Sequence, residues 1–266
     1  MTSPPPGDYH VHTRFSDGEG EPGQCVERAL TLGLPEIGFA DHLAPRCADP
    51  NDEYGIGSAH VEAYVSAVRE ASARYSEIAV LLGVEADYVP EAEEEIAQML
   101  AAYPFDYVMG AVHSVDGFSF DDPPNRDDRR WSDGAALYER YYELLGRAAS
   151  SGLFDILAHP DYITLWGHAM RSDVSVAENE ALRAIAAAGA AIEVNTTGVL
   201  DPAGRMYPAP GLLERAHRLG IPLVFGSDAH TIDQVGWSFG EGVMLAMKAG
   251  YTSCLRLSSH IEEPLP

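Results

Sequence analysis

Seven short apolar runs recur along the chain, each followed by a stretch with helical patterning. They are 8–12, 37–42, 80–85, 107–113, 156–159, 191–195 and 223–230. Short runs of aliphatic residues without polar alternation are what parallel strands buried on both faces look like. Between them, Pro22 to Gly33 opens with proline and closes with glycine, the usual helix punctuation. Ser58 to Tyr75 puts Val61, Tyr64, Val65 and Val68 on one face, with Ser58 as its cap. Pro90 to Tyr103 starts with glutamates, which suit the positive end of a helix dipole. Ser132 to Ser151, Val176 to Gly189 and Pro210 to Gly220 continue the rhythm. A βα unit repeated with short connections predicts parallel neighbours and right-handed crossovers. With seven strands the expected fold class is α/β, a closed or nearly closed TIM-like (βα)7 barrel, with an open sheet as the alternative.

Six of the seven runs end on a residue able to bind a metal. Barrel chemistry sits at the C-terminal ends of strands, so ligands scattered in sequence converge in space. His10 and His12 are two apart and face the same way on a strand. Asp228 and His230 repeat that spacing. Glu85 ends a buried run, where a carboxylate needs a cationic partner. His42, His113 and His159 each follow an apolar stretch, and Asp17 stands in Phe15-Ser16-Asp17-Gly18. Each has an ordinary explanation alone: surface alternation for the paired histidines, a satisfied core group for the single ones, a turn for Asp17. Nine coinciding at strand ends point to a metalloenzyme. Two polar interruptions, Leu43 to Gly57 and Ser114 to Trp131, follow His42 and His113, and read as substrate loops or as solvated connections.

Composition narrows the functions. A chain of 266 residues suits a single barrel domain spanning residues 1–266. Its 41 acidic against 17 basic residues, net −24, argue against binding long nucleic acid, although bound metal ions would invert the field locally for a small phosphorylated substrate. No apolar run is long enough to span a membrane, and the opening Met1-Thr2-Ser3-Pro4-Pro5-Pro6 lacks a signal-peptide pattern. Cys25, Cys47 and Cys254 are odd in number and widely spaced, which predicts a reduced, cytoplasmic protein.

In order along the chain stand Asp8-Tyr9-His10-Val11-His12-Thr13, Phe15-Ser16-Asp17-Gly18, Ala40-Asp41-His42, Gly83-Val84-Glu85-Ala86-Asp87-Tyr88 and 105–113 ending Gly110-Ala111-Val112-His113. They continue with 151–161 containing Ala158-His159-Pro160-Asp161, then Ile192-Glu193-Val194-Asn195-Thr196 and Gly226-Ser227-Asp228-Ala229-His230. With these motifs the chain resembles the PHP (polymerase and histidinol phosphatase) superfamily, in particular its histidinol-phosphate phosphatase branch. The resemblance implies a distorted seven-stranded barrel, up to three divalent transition metals and phosphate-ester hydrolysis. One metal would take His10, His12, Glu85 and Asp228; a second Glu85, His113 and His159; a third Asp17, His42 and His230. Relatives often carry histidine at the position of Asp17. Imidazole and carboxylate donors without thiolate suit Zn, Mn or Fe. His10, His12, Glu85 and Asp228 would be the catalytic set, holding hydroxide formed from water of lowered pKa.

The resemblance weakens at the substrate. The branch places basic residues after the fifth and sixth strands, where this chain has 162–167 and 198–202 without Arg or Lys. Arg171 and Arg205 lie a few residues further on and are the candidates to hold phosphate. Glu193 and Asn195 are candidates to orient ligands from behind. Tyr88, Asp87, Trp166 and His168 are candidates for the pocket wall, whereas His60, His217 and His260 read as ordinary helix or tail residues. Histidinol phosphate is the first substrate expectation. A phosphodiesterase or exonuclease acting on nucleotides, and a non-catalytic metal-binding subunit, are the alternatives.

Overall fold

The computed structural model describes residues 6–132, 135–168 and 173–266. Seven parallel strands pair in chain order: β1 (Asp8–Val11), β2 (Glu36–Phe39), β3 (Ala79–Asp87), β4 (Tyr107–Ala111), β5 (Ile156–Leu157), β6 (Ala191–Asn195) and β7 (Leu223–Gly226). A helix follows each: α1 (Pro22–Leu32), α2 (Val61–Arg74), α3 (Glu93–Ala101), α4 (Ala136–Ser151), α5 (Ser175–Ala188), α6 (Pro210–Arg218) and α7 (Phe239–Ala249). No helix among the described residues is long and apolar enough to cross a membrane.

The barrel is nearly closed, and the distortion has a visible cause. β1 and β7 do not share a continuous ladder. They meet at one parallel bridge, Val11 with Ala229, where the His12 N–H donates to the Ala229 carbonyl at 2.9 Å and the Ala229 N–H to that of His10 at 3.2 Å. Where the ladder is missing, the buried carboxylate of Asp8 accepts from the Ser227 N–H (2.9 Å), the Ser227 hydroxyl (2.6 Å) and the Gly236 N–H (2.9 Å). These bonds satisfy main-chain donors that would otherwise be buried without a partner. Burial still pushes the Asp8 carboxyl up to about 6. The register of β1 against β2 also shifts between Asp8 and Val11.

Tyr9, Tyr107, Met109, Ile156, Val224 and their neighbours form one buried apolar cluster, with Leu257 packed on it. At the strands' N-terminal end, the hairpin of β8 (Ser253–Arg256) and β9 (Ile261–Pro264) covers this filling. The Leu257 N–H donates to the Tyr9 hydroxyl, and Ser258 bonds Glu36 at the start of β2. The opposite end is left free for the site.

Tyr107 is fixed by hydroxyl bonds to the Tyr9 (2.6 Å) and Phe39 (3.0 Å) carbonyls. A Cβ at Gly83 would lie 2.3 Å from its ring, so glycine is required there by close approach. Gly83→Ala should therefore destabilise the fold by about 1–3 kcal/mol, the cost of overpacking a filled core. A lowered midpoint in chemical denaturation, with an unaltered slope, is the expected reading.

Two elements depart from the sequence expectation. α2 begins at Val61 without a side-chain cap bond, so Ser58 belongs to the preceding turn. The run 37–42 breaks after Phe39, and a two-residue strand, His42–Leu43, restarts beside β3 with His42 opposite Glu85. That break brings His42 onto the rim.

Candidate metal centre

The C-terminal strand ends bring all nine candidate ligands together. Four groups have donor atoms within 4.8 Å of one another: His12, Asp17, His42 and His230; His10, Glu85 and His159; His10, His12 and Asp228; and His42, Asp87 and His113. Glu85 is the centre of this arrangement. One of its oxygens lies 2.8 Å from His159 Nε2 and 3.7 Å from His113 Nε2. The other lies 2.9 Å from His42 Nδ1, 3.4 Å from His10 Nε2 and 3.8 Å from His12 Nε2. Asp228 Oδ1 approaches His12 Nε2 at 3.1 Å and His10 Nε2 at 3.6 Å. Asp17 Oδ2 lies 3.2 Å from His230 Nε2 and 3.7 Å from His42 Nε2. Asp228 holds a left-handed backbone, φ 56°, and His159 is at φ 24°; L-residues adopt such values at a cost.

His159 Nε2 is hydrogen-bonded to Glu85 and His230 Nε2 to Asp17, but the protein groups leave other ring nitrogens of the cluster unsatisfied. His10 Nε2, both ring nitrogens of His12, His42 Nδ1 and His159 Nδ1 are buried without a hydrogen-bond partner. Short distances to carboxylates coexist with that because the rings are not aligned for N–H donation. Buried polar atoms are normally satisfied, so several converging orphans fit a set of lone pairs aimed at shared cations. Histidine and carboxylate donors without thiolate suit divalent transition metals.

The electrostatics run the same way. Burial alone would raise the Glu85 carboxyl, but His10, His42 and His113 hold it well below the usual carboxylate range. Burial opposes a charge on His113, yet Asp87 and Glu85 push it up to about 10. His12, by contrast, is pushed down to about 3, by burial first and then by the crowding of His230 and His42. Protons and metal ions compete for such nitrogens.

A layer of carboxylates and amides fixes the ligands from behind. His10 Nδ1–H donates to Glu193 Oε1 at 2.7 Å, a direction set by the carboxylate's inability to donate, and this turns Nε2 toward Glu85. Glu193 Oε2 also accepts the His159 N–H at 2.7 Å. Asn195 donates to Asp228 Oδ2 at 3.0 Å. His113 Nδ1–H donates to Asp87 at 2.6 Å, and the Tyr54 hydroxyl donates to the other oxygen of Asp87.

The structure adds Asp41, which sequence reasoning missed. Fully buried, it accepts from the Thr13 N–H (2.8 Å), the Thr13 hydroxyl (2.9 Å), the Ser16 N–H (3.1 Å) and the Ser16 hydroxyl (2.6 Å). It thereby shapes the turn that carries Asp17. Asp41→Asn would set an NH2 group against donors, at about 1–3 kcal/mol for the mismatch. The expected outcome is a folded protein with reduced metal content by elemental analysis and a mobile 13–18 turn by hydrogen exchange.

Arg205, one of the two candidates to hold phosphate, lies elsewhere. Arg205 donates to Asp161 Oδ2 and the Met206 carbonyl, bonds Thr164, and does not line the cleft above the cluster. Arg171 falls outside the described residues. That cleft, about 300 Å³, includes Asp17, His42, Tyr54, His113, His159 and Tyr162 in its lining.

A nearly closed parallel barrel with a buried histidine–carboxylate cluster at its C-terminal rim defines the molecule as a barrel with a candidate metal site. The PHP domain family model matches residues 8–197, and the PHP-associated model matches residues 213–239. The chain belongs to the PHP domain family. A Deinococcus radiodurans protein named "Probable histidinol-phosphatase" is 34% identical over 239 residues, covering 89% of this chain and 90% of the relative. The Bacillus subtilis histidinol-phosphatase is 29% identical over 258 residues, covering 87% and 96%. A crystal structure of histidinol phosphate phosphatase from Lactococcus lactis, complexed with zinc, L-histidinol and phosphate, superposes with a TM-score of 0.80 at 24% identity. It covers 98% of this chain and 100% of that one.

Proposed function

We propose that this chain is a divalent-metal-dependent phosphomonoesterase that hydrolyses L-histidinol phosphate to histidinol and phosphate. The observation that carries the reading is the convergence of five histidines on Glu85, with His10 Nε2, His12 Nε2 and His42 Nδ1 left without a hydrogen-bond partner. The names of the Deinococcus and Bacillus relatives support the same activity.

In this reading up to three divalent ions would be held. His10, His12, Glu85 and Asp228 would hold one; Glu85, His113 and His159 would hold another; Asp17, His42 and His230 would hold the third. Zinc fits the donor set, as do manganese and iron. Divalent ions bound there supply acidified water near neutral pH and neutralise phosphoryl charge. The chain's own part is positioning. Glu193 keeps the Nδ1 proton on His10 and frees Nε2; Asp87 does the same for His113; Asn195 holds Asp228 by its outer oxygen. Burial of Glu85 and His10 keeps bulk water away from the cluster floor, which strengthens every charge interaction there. Free thiols such as the exposed Cys47 suit the reducing cytoplasm.

Phosphate release from a panel of monoesters and diesters, with protein carrying zinc, manganese or iron, tests this. Histidinol phosphate should be hydrolysed best, and chelation should remove the activity. Diester turnover above every monoester contradicts the reading.

A further inference from the structure

The cleft above the cluster carries a charge pattern that hydrolysis alone does not use. Among the described residues, no Lys or Arg lines it. Arginines near its outer loop are engaged elsewhere: Arg126 stacks on Trp166, Arg130 on Phe118, and Arg140 pairs with Asp116 and Glu143. The same loop instead places Asp121 and Asp122 on the cleft wall, with Ser114 and Ser119. Asp121 is partly buried and lines the cleft together with His113, Tyr54 and Tyr162. No side chain among the described residues donates a hydrogen bond to either carboxylate. The contrast within the loop is informative: Asp116 has an arginine partner, whereas the two aspartates facing the cleft have none.

We propose that Asp121, with Asp122 beside it, recognises a positive charge on the alcohol half of the ester, so that the cleft selects aminoalcohol phosphates over neutral ones. The proposal rests on the phosphomonoesterase reading and adds what chooses the ester. With the phosphoryl group at the cluster, the alcohol half is left to the remainder of the cleft. Asp121, partly withdrawn from water and without a side-chain donor, gains a partner in an ammonium group, and the exposed Asp122 adds negative charge beside it. A neutral alcohol leaves the carboxylates unpaired, and an anionic one is repelled, which is discrimination by penalty as much as by attraction.

The test compares L-histidinol phosphate with its analogue lacking the amino group, on metal-loaded wild type and on the Asp121→Asn/Asp122→Asn double variant. Wild type should prefer the amino ester by roughly 10²-fold in kcat/KM. The double variant should lose at least about tenfold of that ratio, chiefly through KM, with metal content and melting temperature retained. Competitive inhibition by L-histidinol should weaken in parallel. A wild-type ratio near one, or equal losses on both esters in the variant, overturns the proposal. If wild type hydrolyses neither ester, the phosphomonoesterase reading fails. Calorimetric binding of L-histidinol then still decides the proposal: weaker binding in the variant supports it, and equal binding overturns it.

Discussion

Glu85→Gln is expected to give a folded protein that hydrolyses phosphate esters roughly 10²–10³-fold more slowly, the scale on which losing one charge-stabilising group lowers kcat. The substitution keeps volume and removes the negative charge approached by five histidines, on β3 at the middle of the rim. An amide oxygen is a weak ligand, and its NH2 group would face ring nitrogens that have nothing to accept it with when they are ligating. Metal content should fall at more than one position, which distinguishes a bridge from a terminal ligand. Near-normal turnover with full occupancy would show that Glu85 bridges nothing.

The second large effect belongs to Glu193, which touches two ligands without facing the cleft. Glu193→Gln should weaken metal affinity or activity by roughly 10–100-fold, the usual range for partners that orient ligating histidines. The physical reason is twofold. A glutamine oxygen binds the His10 Nδ1 proton less strongly than a carboxylate, and the second Glu193 oxygen would no longer hold the His159 N–H as firmly. Zinc titration monitored by calorimetry should show weakened binding with unchanged ester selectivity. A loss of fold at ambient temperature without a change in affinity per folded molecule would reduce Glu193 to a structural role.

How much of this was readable in the chain depends on where a residue sits in its run. His12, His42, Glu85, His113 and His159 stand at the ends of apolar runs, where polarity is conspicuous, and His10 and Asp228 share their spacing. The barrel order follows from the βα rhythm and matches the observed pairing of β1 through β7. Asp8 and Asp41 were not readable as organisers, because a buried carboxylate inside a strand-like segment has no local signature. Asp8 closes the barrel through Ser227, 219 residues away, and Asp41 binds Thr13, 28 residues away. Arg205 looked free for phosphate because its partner Asp161 lies 44 residues earlier and meets it only in the fold. The break that restarts a strand at His42 was hidden for a similar reason: it depends on pairing with Glu85 and Ala86 of β3.

The most direct measurement is phosphate release from L-histidinol phosphate as chelator-treated protein is titrated with zinc, with bound metal counted by elemental analysis at each point. Activity should be absent in the stripped protein, rise as ions bind, and level off when the sites around Glu85 are filled. Hydrolysis at the full rate by protein verified to hold no transition metal, or none by protein with every site loaded, would contradict the account.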